Sequence, residues 1–333
     1  MKKFISILLL VGVISLTLVG CSGGNSAESK TISFADAGWD SIRFHNAIAG
    51  TIAEELWGYS WSEVSGSTPV THQGLLSGEI DVHMEIWSAN IASYDEDLEN
   101  GRFQLLSSNF DDNNQGVYVP RYVIEGDAER GIEASAPDLQ YLWDLKEYSD
   151  VFQDDEDPSM GRMYGAIPGW EADQLLNAQF TYHGLDENFI YFRPGSDAAL
   201  ATAITSAYEK GEPIAAYYWE PTWLLGMYDM VLLETKPYDP ESFRTGETGF
   251  PPVDVTVGAS NDFAGNEENA ELIAFLSKYE TSSALTSEGL AYMQDTGADY
   301  VDTAKWFLTQ HSELLDQWLE AEDAQAIKDF LNN

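Results

Sequence analysis

Five tryptophans stand beside the ends of strand-like segments or at the start of helical ones, where aromatic rings can face a ligand. They are Trp39 in "DAGWDS", Trp87 in "MEIWSAN", Trp170 in "IPGWEAD", and Trp219 and Trp223 in "YYWEPTW". The face of an indole attracts a quaternary ammonium, which has no N–H to donate, by roughly 0.5–2 kcal/mol per contact. Exposed tryptophans also stack on sugar rings, and buried ones pack at interfaces. The residues alone therefore leave three interpretations open: a cation cage, a sugar platform and structural packing.

Two glutamates and one glycine lie beside these rings and bear on the kind of ligand. Glu85 precedes Trp87 by two residues, and Glu171 directly follows Trp170. A carboxylate near the rings would repel a ligand carboxylate and favour a purely cationic ligand or a hydroxyl, unless it points to solvent. The backbone of Gly169 and Trp170, at a helix start, could instead donate N–H groups to a ligand carboxylate.

Sequence signatures of catalysis and metal binding are absent. The chain has no G-x-G-x-x-G, G-x-S-x-G or H-E-x-x-H motif and no Walker loop. The five histidines lack metal-site spacing, and "DDNNQG" (111–116) begins like a calcium loop but has Tyr122 at its twelfth position. Some of the 56 carboxylates lie close together by chance, but no spacing selects a catalytic pair. We predict that the protein is not an enzyme and uses no cofactor and no metal.

The first 21 residues have the layout of a lipoprotein signal. Two lysines, about 16 apolar residues and the sequence Leu18-Val19-Gly20-Cys21 follow one another. The apolar run is shorter than the ~20 residues of a membrane span, and Leu18 and Gly20 before the cysteine look like a bacterial lipobox. Cys21 is the one cysteine of the chain, and lipidation would explain it. We predict a signal at 1–21, lipidation at Cys21, a flexible tether at 22–30 and a protein anchored outside the cytoplasm.

The charge of the chain is extreme, with 56 acidic and 16 basic residues. Because 44% of the residues are hydrophobic and 13% aromatic, the composition favours a packed core over disorder. Nothing resembles a basic groove, so nucleic-acid binding is disfavoured. Two interpretations of the acidity stay open: a solvated surface suited to a saline habitat, and attraction of cationic ligands.

Strand-like runs alternate with helical periodicity after the tether, which is typical of α/β domains. Strands are predicted at 31–37, "WSEVSG", 79–87, "MYGAI", "NFIYFRPG", "PIAAYYW" and "MVLLETK". Crossing segments near 116–124 and 235–255, with a βα unit between them, predict two lobes joined by two strands. The segment 116–124 is extended, and the segment 251–260 is a second extended, apolar segment suited to returning the chain. From there to the end the sequence is almost entirely helical, and this tail is predicted to pack on the first lobe.

The segments "MEIW", "GAIPGWEAD" and "YYWEPTW", in this order and spacing, resemble the aromatic-cage segments of ABC-importer substrate-binding proteins for glycine betaine, choline and carnitine. The resemblance runs from about residue 31 to beyond 300. It implies a type II periplasmic-binding-protein fold, with two α/β lobes joined by two hinge strands. It also implies a three-tryptophan box of Trp87, Trp170 and Trp219, with Trp39 and Trp223 as further candidates. One departure is Ser88-Ala89-Asn90, where relatives often have a proline.

The resemblance implies a division of the chain and a function. Lobe I comprises residues 31–117 and 250–333, and lobe II residues 118–249. The expected function is the extracytoplasmic solute-binding component of an ABC importer, which captures glycine betaine or a related methylated ammonium osmolyte by lobe closure. Its partners would be an ABC permease with its ATPase, and the membrane through the lipid. Two alternatives remain: a choline or trimethylamine N-oxide receptor of the same fold, and a secreted carbohydrate-active protein with tryptophan platforms.

Overall fold

The structure, a computed structural model, describes residues 30–332. The predicted signal, the lipidation site Cys21 and almost all of the predicted tether lie outside the described residues. No helix among the described residues is long and apolar enough to span a bilayer.

The described chain alternates strands and helices. The strands are β1 (Thr31–Asp36), β2 (Ser60–Ser65), β3 (Val82–Trp87), β4 (Phe103–Phe110), β5 (Gln115–Pro120), β6 (Gly161–Tyr164), β7 (Phe189–Phe192), β8 (Ala215–Trp219), β9 (Met230–Leu232) and β10 (Val255–Ser260). The helices are α1 (Asp40–Trp57), α2 (Thr68–Ser77), α3 (Tyr94–Glu99), α4 (Arg121–Glu125), α5 (Glu171–Tyr182), α6 (Asp197–Lys210), α7 (Trp223–Met227), α8 (Pro240–Phe243), α9 (Asn261–Ala264), α10 (Ala270–Leu276), α11 (Ser283–Thr296), α12 (Tyr300–Gln310), α13 (Glu313–Trp318) and α14 (Ala321–Leu331).

Two five-stranded sheets have the same strand arrangement. The first has the order β2-β1-β3-β10-β4 and the second β7-β6-β8-β5-β9. In each sheet the strand that arrives from the other half of the chain, β10 or β5, runs antiparallel to both neighbours. The chain therefore crosses between the sheets twice, after β4 and after β9, and the predicted two α/β lobes are present. The residue boundaries predicted for the lobes stay a prediction.

Two predicted elements differ from the structure. The segment 116–124 is not extended throughout, because β5 ends at Pro120 and α4 begins at Arg121. The run 79–87 forms a strand only from Val82, and all six residues of β3 are buried. This strand has no solvent face because it lies between β1 and β10 with helices packed on the sheet. Helix α1 begins at Asp40, with Trp39 at its N-cap position.

The C-terminal helices pack against α1 and the first sheet. Phe307 of α12 meets Phe44 of α1 edge-on, with ring centroids 5.3 Å apart. Trp318 at the end of α13 is fully buried and stacks on Tyr279 at 4.6 Å. The contact with Phe307 holds the first half of α1, which follows Trp39 in the chain, against this apolar core.

Candidate functional site

One cavity lies between the two sheets and brings together four of the predicted tryptophans. Its wall is formed by Trp39, Thr68, Trp87, Asn90, Gln115, Trp170, Glu171, Ala172, Tyr217 and Trp219. Trp87 and Trp219 are the last residues of β3 and β8, and Trp39 and Trp170 occupy the N-cap positions of α1 and α5. This is the edge of an α/β sheet at which ligands bind. The rings are therefore positioned by strand ends and helix starts in both lobes.

The indoles meet one another at nearly right angles. The rings of Trp39 and Trp170 are 5.3 Å apart at 88°, and those of Trp170 and Trp219 are 5.0 Å apart at 84°. Edge-to-face contact of this kind is the favoured arrangement of aromatic rings. Trp219 also stacks on Tyr217 of its own strand, with centroids 5.9 Å apart. Because the rings are perpendicular, they enclose the cavity from several sides. A compact group inside the cavity therefore contacts more than one indole.

Trp170 connects the two lobes directly. Its indole N–H donates to the carbonyl oxygen of Ala37, 3.1 Å away at the end of the first strand segment. Gly169, with φ +97°, brings the backbone so close that an added Cβ would lie 3.1 Å from the Cβ of Ser67. The lobes are thus in contact beside the cavity, and the predicted site residue Gly169 lies at this contact rather than in the cavity wall.

Part of the cavity wall was not predicted from the sequence. These residues are Thr68, Asn90, Gln115, Ala172 and Tyr217. The Tyr217 hydroxyl donates to the Gln115 side-chain oxygen at 2.9 Å, and the Asn90 amide donates to the same oxygen at 3.4 Å. Tyr217 shares a strand face with Trp219 because side chains alternate with a period of two, so the sequence did contain this signal. Gln115 lies opposite Trp219 through the pairing of β5 with β8, which no local pattern reveals.

Glu171 is the one carboxylate in the cavity wall, and the wall contains no Lys, Arg or His. Its Oε1 lies 3.4 Å from a guanidinium nitrogen of Arg244, and the Gln174 amide donates to its Oε2 at 3.3 Å. The Arg244 guanidinium also donates to the carbonyl oxygen of Ala89 in the other lobe at 3.5 Å. The charge of Glu171 is therefore partly balanced from outside the cavity.

Glu85 does not line the cavity but is fully buried beneath it. Its Oε1 accepts hydrogen bonds from the indole N–H of Trp87 at 2.9 Å and from the Ser41 hydroxyl at 3.0 Å. Burial raises the pKa of Glu85 from 4.5 to about 7, although the donors from Trp87, Ser41 and Trp39 act in the opposite direction. Among the described residues, Glu85 Oε2 and the Trp39 N–H have no hydrogen-bond partner of normal geometry.

Trp223 lies outside the cavity that the other four tryptophans form. It borders a second, smaller cavity with Asp40, Asp197, Tyr218 and Trp219. Trp223 is half-buried and packs against both apolar cores. Within residues 30–332 no cluster of three or more potential metal ligands occurs.

Comparisons with solved structures show the fold to which this architecture belongs. A glycine betaine, L-proline-binding protein (ProX) from Borrelia burgdorferi is 19% identical, with a TM-score of 0.69 over 90% of this chain and 100% of that one. A choline-binding protein of an ABC transporter, in complex with choline, is 19% identical, with a TM-score of 0.68 over 90% and 98%. Lactococcal OpuAC, closed on glycine betaine, is 18% identical, with a TM-score of 0.65 over 88% and 100%. The predicted two-lobed periplasmic-binding-protein fold is confirmed.

The family follows from the sequence match. Residues 30–310 match the model of the substrate-binding domain of ABC-type glycine betaine transport systems (OpuAC). The chain belongs to this family and is the substrate-binding component of such a transporter, which confirms the predicted resemblance. A curated relative, the uncharacterized protein ORF1 of Chromohalobacter salexigens, is 26% identical over 151 residues, which are 45% of this chain and 85% of the relative.

Proposed function

We propose that the cavity captures a small methylated ammonium compound, with glycine betaine as the first candidate, and that the protein does no chemistry on it. The observation that carries the proposal is the enclosure of one cavity by the indoles of Trp39, Trp87, Trp170 and Trp219, without a basic side chain in its wall. A trimethylammonium group gains from each indole face and needs no hydrogen-bond acceptor. In this proposal Trp39 is a fourth member of the tryptophan box that the family resemblance implies.

The carboxylate of glycine betaine would be bound by neutral donors. Helix α5 begins at Glu171, and the backbone N–H groups of its first turn lack intrahelical acceptors. Ala172 in this turn lines the cavity, together with the hydroxyl-bearing Thr68 and the amides of Asn90 and Gln115. The positive end of the helix dipole favours an anionic group at this place. Glycine betaine would therefore lie with its methyl groups among the rings and its carboxylate toward α5.

Choline is the second candidate, and Glu171 is the observation that favours it. A carboxylate in the wall accepts a hydrogen bond from the hydroxyl of choline and repels the carboxylate of glycine betaine. The guanidinium of Arg244, 3.4 Å from Glu171, weakens this repulsion. Trimethylamine N-oxide would fit the same cage. A carbohydrate-active protein is disfavoured, since the cavity wall holds one carboxylate rather than a catalytic pair.

The remaining parts of the proposal concern the cellular setting. We infer that the protein acts outside the cytoplasm, tied to the membrane by a lipid on Cys21, and delivers its ligand to a permease with its ATPase. Lobe I would comprise residues 31–117 and 250–333, and lobe II residues 118–249. Ligand capture would proceed by lobe closure, which excludes water and strengthens the electrostatics of the cage. Metabolic labelling with a fatty acid, lost in Cys21→Ser, tests the anchor.

Isothermal titration against glycine betaine, choline, carnitine, trimethylamine N-oxide and a sugar panel tests the ligand class. We expect binding of at least one methylated amine and no binding of sugars. Glu171→Gln separates the first two candidates, because it should strengthen glycine betaine binding and weaken choline binding. Heat from sugars with none from any methylated amine would refute the cage.

The contribution of a single ring is tested by Trp219→Ala. Loss of this indole is expected to weaken binding by about 1–3 kcal/mol, because cation–π contacts in a desolvated site lie at the upper end of their range. The matched control is Trp306→Ala, which removes an indole stacked on Tyr292 at 4.0 Å and remote from the cavity. Equal affinity in a folded Trp219→Ala protein would contradict the role assigned to this ring.

A further inference from the structure

A buried hydrogen-bond group lies directly behind the cage. It consists of Glu85 and the two donors that bond to its Oε1, the Ser41 hydroxyl and the Trp87 indole N–H; the Trp39 N–H also lowers the pKa of this carboxyl but makes no hydrogen bond of normal geometry. Trp87 has its ring in the cavity wall and its N–H on the carboxyl of Glu85, so the two groups form one unit. The ring orientation is held by this bond, because the Glu85 side chain itself is 0% exposed and fixed by Ser41 of α1.

We propose that Glu85 is a positioning residue for the cage and that its charge makes the cage selective for cations. The carboxylate lies at the edge of a ring whose other atoms border the cavity, so a cation in the cavity is separated from it by little more than the Trp87 indole. Acceptance of the indole N–H by an anionic oxygen is a charge-assisted bond, which is stronger than a neutral one. The inference rests on the proposed function. It means that Glu85, which lies outside the cavity wall, contributes to the preference for cationic over neutral ligands.

The carboxyl of Glu85 has donors on one oxygen but no counter-ion among residues 30–332. Oε1 accepts hydrogen bonds from Trp87 and Ser41, whereas Oε2 has no partner of normal geometry among residues 30–332, although the Trp39 N–H also lowers the pKa of this carboxyl. None of the ion pairs that lysines and arginines form within residues 30–332 includes Glu85. A buried carboxylate without a counter-ion is costly. A ligand cation in the neighbouring cavity would supply the missing charge.

The titratable groups around Glu85, apart from one, keep a single charge state near neutral pH. The exception is Asp197, whose pKa burial raises to about 7 in the small cavity that Ser41 also borders. On its own strand, the backbone N–H of Glu85 lies 3.3 Å from the Nδ1 of His83, and burial lowers the pKa of that histidine to about 3. On α1, burial lowers the pKa of His45 to about 3 as well. Behind them, burial and the charge of Glu85 raise the pKa of Tyr279 well above its ordinary value. These three groups keep one charge state between pH 5.5 and 8.5.

Ligand binding and proton release are then linked. A cation beside the carboxyl favours its ionised form, so binding lowers the pKa of Glu85 and releases its proton to the buffer. Conversely, the affinity for a cation rises as the pH passes upward through about 7. We expect an increase of about tenfold between pH 5.5 and 8.5, which corresponds to an attraction of about 1.4 kcal/mol between the cation and the carboxylate.

The test uses tetramethylammonium and choline, whose charge is constant over this pH range. Affinity is measured by titration calorimetry from pH 5.5 to 8.5, and near pH 7 in two buffers of different ionisation enthalpy to count released protons. The wild-type protein is expected to release up to one proton and to bind more tightly at high pH. In Glu85→Gln, which retains an acceptor for Trp87, both the release and the pH dependence should disappear.

A matched control is Asp197→Asn, because burial also raises the pKa of Asp197 to about 7 in the adjacent small cavity. The proton release is expected to persist in this variant. Proton release that survives in Glu85→Gln, or is absent from a wild-type protein that binds choline, overturns the inference and leaves the proposed function intact. No binding of any methylated amine overturns both. The proton count on the wild-type protein decides the matter even if Glu85→Gln does not fold.

Discussion

At the scale of the residue, tryptophan serves two purposes in this site. Its faces form the cavity, while its N–H groups hold the rings in place. The Trp87 N–H donates a hydrogen bond to the carboxyl of Glu85, and the Trp170 N–H donates one to the carbonyl oxygen of Ala37. Buried indoles normally find such partners. A phenylalanine would present an aromatic face but has no N–H donor to fix the orientation of its ring. Indoles therefore suit a cage that must keep its shape when it is empty.

The buried carboxyl of Glu85 makes a prediction about stability. Its pKa is about 7 in the folded protein and near the ordinary 4.5 when unfolded. Between these pH values the folded state binds the proton more tightly, so the contribution of Glu85 is fully present below pH 4.5 and is lost as the pH rises through 7. The difference in unfolding free energy between Glu85→Gln and the wild type should therefore shift in favour of the variant by up to about 3 kcal/mol between pH 4.5 and pH 8.5.

Denaturant unfolding of both proteins at several pH values, without ligand, measures this difference. Asp154→Asn is the contrasting control, because the hydrogen bond from Arg162 lowers the pKa of Asp154. Loss of that carboxylate should cost more stability at high pH than at low pH. A difference between Glu85→Gln and the wild type that is constant with pH would contradict the buried titration.

At the scale of the element, the cage depends on where strands stop and helices start. The sequence was sufficient to predict that Trp87 and Trp219 end their strands, because apolar alternation and the following turn residues mark such ends. The period of two would also have added Tyr217. Gln115 could not be found in this way, because its place opposite Trp219 depends on pairing between β5 and β8. The burial of Glu85 was equally hidden, since it requires cover on both faces of β3.

The short segment before α5 offers a test of the lobe contact. Gly169→Ala introduces a side chain at φ +97° and only 3.1 Å from Ser67, whereas Gly131→Ala introduces one at φ +70° with nothing within 4 Å. Both variants should lose about 1–2 kcal/mol of stability from backbone strain. Gly169→Ala alone is expected to weaken ligand binding, because its methyl group holds the lobes apart beside Trp170. Thermal unfolding and calorimetry measure the two effects, and unchanged affinity in Gly169→Ala would contradict this account.

At the scale of the whole molecule, the charge of the protein bears on both stability and capture. The formal net charge of the chain is −40. Like charges at this density repel one another and destabilise the compact state. They also attract a cationic ligand from a distance, and salt weakens both effects. The two interpretations that the composition leaves open therefore predict different observables.

Salt titration separates them. From 0.1 to 1 M NaCl the Debye length falls from about 10 to 3 Å, so repulsion in the acidic surface should diminish and the melting temperature should rise. Over the same range the association rate constant of choline, followed by tryptophan fluorescence in stopped flow, should fall if the surface steers cations. Glycine betaine is the matched control, because it carries no net charge and its association should change little. A melting temperature that does not rise contradicts repulsion, and equal salt dependence for the two ligands contradicts steering.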